Sequence, residues 1–252
     1  MKYLLLLLVA GSVQAENLPI VRGGTVEDGG NSVFCRHEDM VGGDGPAIPP
    51  QKPGLGSYYA LDYARAIVNG RKPEDFAMER DWTSHSQRIE RILRDVSPSL
   101  QATFRAFVES TEQIGISGNP RKLKRVWVKA RQFQIVENNV GYAPRSCMAV
   151  LQDSEDLHLG GAIVSFRGYM RTVTRRKTGD YVEYRYMPNE LKLLTENSPL
   201  QYSMLLVHEW LWDHTRKLDV NQRVNEFLHT KAVDSMSNAE VRRELRRLGL
   251  RL

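Results

Sequence analysis

The chain has 252 residues, 41% hydrophobic and 26% charged, with a formal net charge of +5. That balance is ordinary for a globular protein with a real core, and the length suits one domain or a domain with a small appendage. After the first residues no stretch approaches 18 apolar residues, which argues against any later membrane-crossing helix.

The N-terminal "MKYLLLLLVAGSVQA" carries a positive n-region (Lys2), an apolar run from Leu4 to Ala10, and small residues at Val13 and Ala15. This pattern predicts a signal peptide over residues 1–15, and hence export to the periplasm or the extracellular space. A retained anchor is the other reading, but the apolar run is short for a bilayer. Loss of Lys2 leaves a charge of about +4, which favours an anionic envelope polymer or peptide as partner over nucleic acid. In an oxidising compartment Cys35 and Cys147 are expected to form one disulfide, with two unpaired thiols as the alternative. The bridge would close roughly 110 residues and contribute about 4–5 kcal/mol in the chain-entropy account.

Residues 16–56 are punctuated by Gly23-Gly24, Gly29-Gly30, Gly42-Gly43 and Pro49-Pro50, and read as a flexible, mostly irregular arm. "NSVFCR" (Asn31 to Arg36) can form a short strand within it. Residues 57–252 read as a single α+β domain, mainly helical with a small antiparallel sheet. "SYYALDYARAIVNG" predicts a helix stopped by Gly70. "SHSQRIERILRDV" predicts a second, with Ser84 and Gln87 as capping box. Ser97 and Pro98 start a third, with Leu100, Phe104, Phe107 and Val108 on its buried face.

The middle alternates. Val126, Val128 and Ala130 share one side of a predicted strand, followed by Phe133 and Ile135. A hairpin is expected around Lys177-Thr178-Gly179, with Val182, Tyr184 and Tyr186 on one face. Three more helix starts follow: Ser198-Pro199 with Gln201, Asp219 with Gln222, and Ser237 with Glu240. Val241, Leu245 and Leu248 line the last helix's apolar face, which Gly249 stops.

The helix after Ser198 carries "LLVHEWLWDHT" (Leu205 to Thr215). At 100° per residue His208 falls inside the apolar arc, while Glu209 and Asp213 share a more polar flank. His214 lies about 120° from His208, so the two imidazoles cannot grip one ion from this helix alone. One reading makes His208 a core histidine, bonded to a carbonyl or a carboxylate such as Glu209. Another makes Glu209 catalytic, with or without zinc on His208 and an outside ligand, His229 or His158. Weaker candidates are a calcium site at Asp153, Glu155 and Asp156, and a basic hairpin (Arg167, Arg171, Arg175, Arg176, Lys177, Arg185) that faces water or an anionic polymer. Neither a hydrolase elbow nor a phosphate-binding glycine loop is present.

His208 and Glu209 resemble the first two positions of the His-Glu-x-x-His motif of gluzincin-type metallopeptidases. That resemblance implies a zinc ligand at His208 and a general base at Glu209, but Trp212 stands where the second histidine belongs. The segments "SPLQYSMLLVHEWLWDHT", "NQRVNEFLHT", "GGNSVFCR" and "YYALDY" resemble a group of exported bacterial proteins of unassigned function. This implies export and a shared fold, and carries over no catalytic residue. Two functions follow as expectations. One is a non-enzymatic envelope protein with a structural or ligand-binding role and no cofactor. The other is a degenerate or divergent zincin-like hydrolase acting on envelope peptides or peptidoglycan.

Overall fold

The computed structural model describes residues 26–27, 30–35, 57–115, 124–130 and 169–252. Its strands are β1 (Val26–Glu27), β2 (Asn31–Cys35), β3 (Ser57–Ala60), β4 (Arg125–Lys129), β5 (Tyr169–Arg171), β6 (Val173–Thr178) and β7 (Tyr181–Tyr186). Its helices are α1 (Leu61–Val68), α2 (Trp82–Val96), α3 (Pro98–Thr111), α4 (Pro188–Asn197), α5 (Pro199–Leu211), α6 (Leu218–His229) and α7 (Asn238–Arg247). The architecture is α+β and mainly helical. No described helix is long and apolar enough to cross a membrane. The expected signal peptide, residues 1–15, lies outside the described residues.

The strands form two sheets, ordered β1-β6-β7-β4 and β3-β2-β5. The hairpin is as the alternation predicts: Thr178 faces Tyr181 across Gly179-Asp180, with Gly179 at φ 59°, and Val182, Tyr184 and Tyr186 are buried. Glycine at the first turn position supplies the positive φ that a two-residue hairpin needs. One expectation fails, because β4 runs parallel to β7 and the first sheet is mixed. In β4 the adjacent Val126 and Trp127 are both buried, since Trp127 stacks on Tyr184 at 4.5 Å while Val126 faces the other way. Phe133 and Ile135 lie outside the described residues.

Asn31–Cys35 is the central strand of the second sheet, between β3 and β5. That pairing claims Ser57–Ala60, which the periodicity assigns to a helix; α1 begins only at Leu61. Paired tyrosines suit a strand once a neighbour is available. The caps divide similarly. Ser97 and Ser198 accept from Leu100 N and Leu200 N, as their sequence context predicts. Gln201, however, does not close a capping box: its Oε1 accepts the Ala60 N–H at 2.9 Å and ties α5 to β3. Asp81, not Ser84, caps α2, accepting the Ser84 N–H at 2.7 Å and its hydroxyl at 2.8 Å. Asp219 sits inside the first turn of α6 and pairs with Arg223 one turn on, so it is no cap.

At α7 the Ser237–Glu240 box is complete and the chain turns out at Gly249, φ 97°. Replacing Ser237 with Ala is expected to destabilise the fold by about 1 kcal/mol, read as a lowered urea midpoint at unchanged slope.

The main core lies between α2, α3, α5, α6, α7 and the β6-β7-β4 face. A smaller cluster joins Tyr59, Tyr63, Ile67 and Phe76 to Leu200 and Met204 of α5. α5 therefore belongs to both, and from Ser203 to Leu211 every side chain is buried. A helix enclosed on all sides has no solvent flank, so the polar residues on it must find partners inside. Arg88 of α2 is a further buried polar anchor. Its guanidinium grips the Asp234 carboxylate at 2.9–3.1 Å and donates to Leu228 O and Thr230 O, which fixes the turn after α6.

Candidate functional site

α5 presents Gln201, Ser203, His208 and Glu209 to partners on other segments. His208 Nδ1 bonds Asp62 Oδ2 of α1 at 2.7 Å, and since a carboxylate only accepts, Nδ1 carries the proton. Asn225 of α6 donates to the same Asp62 oxygen at 2.6 Å and to Met204 O at 2.8 Å. Asn221, one turn earlier on α6, donates to His208 O at 3.1 Å. Burial alone would push the Asp62 carboxyl up. The facing His208, the two hydrogen bonds and nearby Arg65 outweigh it and hold Asp62 below its usual 3.8. The partner of His208 is thus a carboxylate, as the core reading expects, but on α1 rather than at Glu209. Asp62 is absent from the sequence-derived site. Its one signal is an acid placed inside the apolar run "YYALDYARAIV".

Glu209 is fully buried, and its flank is not open to solvent. Its Oε1 accepts the backbone N–H of Gly30, which precedes β2. Burial pushes its carboxyl up to about 7, against the opposing pull of His208, the Gly30 N–H and Arg175.

Asp213, just past the end of α5, is the other acid of the segment. It pairs with Arg125 of β4 at 2.7 Å, with Arg175 of β6, and more distantly with Lys177 at 3.8 Å. Burial raises this carboxyl, but Arg175, Arg125 and Lys177 prevail and keep it below 3.8. Arg175 is itself buried, which corrects the expectation that the basic hairpin faces outward; Arg176, Lys177 and Arg185 do face outward. His214 Nε2 meets Thr103 Oγ1 at 2.9 Å, on the far side from His208.

His229, the proposed outside ligand, has both ring nitrogens engaged. Nδ1 donates to Asn225 O at 2.8 Å, so Nε2 is the unprotonated nitrogen and accepts from the Ser203 hydroxyl at 2.8 Å. Burial drives its pKa down to about 3 and keeps the ring neutral. A serine bonded to a histidine has the bond length of a nucleophile and its base. Here both are wholly enclosed, and Ser203 lies in the middle of a regular helix, so the pair serves packing.

Among the described residues the donor set does not fit zinc. Trp212 stands one turn past His208 with its ring edge-on at 5.7 Å, and cannot ligate. His229 is spent on Ser203 and Asn225. No group of three His, Cys, Asp or Glu among the described residues is arranged to hold a metal ion. His158, the acidic Asp153, Glu155 and Asp156, Arg167, and Cys147 with its expected bridge to Cys35 lie outside the described residues. No family model, curated protein or solved structure matches the chain.

Proposed function

We propose that this chain is an exported, non-enzymatic envelope protein, and that its His-Glu helix is an internal polar scaffold. Export rests on the signal-peptide pattern of residues 1–15. The observation that carries the scaffold reading is the use of each candidate group inside the fold. His208 is bonded to Asp62, Glu209 to Gly30, and His229 to Ser203 and Asn225. The His229–Asn225 bond lies within α6, while the other three join different segments, so together they tie α1, α5, α6 and Gly30 at the head of β2. The exposed Arg176, Lys177 and Arg185 of the hairpin give the protein a basic edge suited to an anionic envelope polymer or peptide.

Elemental analysis of the purified mature protein, with His208→Ala as control, tests this reading. We expect no stoichiometric metal in either. One zinc per chain, lost in His208→Ala, would overturn the scaffold and restore the divergent metallohydrolase.

A further inference from the structure

We propose that the Gly30–Glu209 contact is a proton-controlled latch: a proton on Glu209 keeps Gly30, at the head of β2, seated against α5, and its loss releases it. The geometry makes Gly30 the keystone of that seat. Its N–H donates to Glu209 Oε1, while its carbonyl accepts from Thr172 N and Val173 N, both at 3.1 Å. A larger residue would force the Leu205 and Glu209 side chains to shift, since a Cβ here would lie 2.5 Å from Leu205 Cδ1 and 2.9 Å from Glu209 Oε1. Backbone and carboxyl are therefore in direct contact with no space for water between them.

The carboxyl has little support as an anion. A buried carboxylate is comfortable with two or three N–H donors. Glu209 has the Gly30 N–H on Oε1, and Oε2 has no hydrogen-bond partner among the described residues. The charged and titratable groups around it come from four elements. His208 is its neighbour on α5, and that ring is bonded to Asp62 of α1, whose negative charge opposes ionisation. Arg175 of β6 favours ionisation, but its guanidinium is shared with Asp213. Tyr184 of β7 is a buried phenol whose pKa burial pushes well above its ordinary 10, so it stays neutral. Burial outweighs the rest and raises Glu209 from 4.5 to about 7. With the proton on Oε2, Oε1 still accepts from Gly30 at small cost. Without it, a bare charge sits under the strand, and hydrating that charge requires Gly30 to lift.

The sign follows. The closed form holds a proton that the opened, hydrated form gives up, so acid favours closure. The opening equilibrium is expected to rise about tenfold per pH unit between about 4.5 and about 7, then level off. An exported protein meets external pH directly, which gives such a latch something to respond to.

Hydrogen exchange of the full mature chain, followed on peptides covering residues 30–35 and corrected for the intrinsic pH dependence, reads this opening. Protection is expected to fall across that window in the wild type. In Glu209→Gln it should stay high and independent of pH, and in Gly30→Ala it should be low throughout. Protection unchanged with pH in the wild type, or the same fall persisting in Glu209→Gln, would overturn the latch. If Glu209→Gln does not fold, the carboxyl carbon resonance of Glu209 in the wild type decides: titration near 7 supports the latch, and a midpoint at an ordinary carboxylate value ends it.

Discussion

Asp62→Ala is expected to be among the most damaging single changes in this protein, at about 3–5 kcal/mol. The carboxylate is buried and serves two donors, His208 Nδ1 at 2.7 Å and Asn225 Nδ2 at 2.6 Å. Truncation leaves both donors in the core without their acceptor and opens a small void between α1, α5 and α6. Asp62→Asn keeps an acceptor oxygen and should cost less. Chemical denaturation of the two variants, with Asn225→Ala to complete a double-mutant cycle, checks the size and the coupling. The pH dependence has a definite sign. Because the Asp62 carboxyl is held below 3.8, its contribution is complete above that value and is lost as the pH falls below it. The penalty of Asp62→Ala should therefore shrink as the pH falls below about 3.8. This runs opposite to Glu209, whose burial favours acid, so the two neighbours on one network respond to protons in opposite directions.

Asp213→Ala is expected to cost a comparable 3–5 kcal/mol. Asp213 is nearly buried and meets Arg125 of β4 and the enclosed Arg175 of β6. Removing it leaves a buried guanidinium without the carboxylate that neutralises it, at the junction where α5 meets the mixed sheet. Surface ion pairs are a useful contrast. Lys192–Glu196, with both side chains more than half exposed, should be nearly silent when cut. Thermal and urea unfolding of Asp213→Ala beside Glu196→Ala gives the comparison. An Asp213 variant as stable as the wild type would remove the sheet-to-helix ion cluster from the account of this fold.

What the sequence reveals here divides along range. Ser198-Pro199 starts α5, Ser237–Glu240 starts α7, and Gly179 turns the hairpin, because each signal needs only residues a few positions apart. Strand Ser57–Ala60 is misread because its tyrosine pair becomes a strand only beside Asn31–Cys35. Glu209 is read only as part of a more polar flank for the same reason. The helical wheel knows α5 but not the Gly30 backbone that covers it. Asp62 escapes notice because its partners, His208 and Asn225, lie 146 and 163 residues away. The histidines show what residue type leaves open. His208-Glu209 has the chemistry of half a metal motif, and the bonds of His208 to Asp62 and of His229 to Ser203 and Asn225 are visible only in the fold.

The central place of β2 bears on how the molecule is made. Ser32 bonds Thr172, 140 residues further along, and β1 reaches equally far to β6. A chain delivered from its N-terminus offers β1 and the β5-facing edge of β2 long before their partners exist, although β3 follows β2 closely. Closing loops of that length is slow, and contacts between such distant residues form late. The β6-β7 hairpin, closed by two residues, can assemble at once and serve as the template. The far edges of the earliest strands are then the last to be sealed in, and until that happens the Gly30 cover over Glu209 is incomplete.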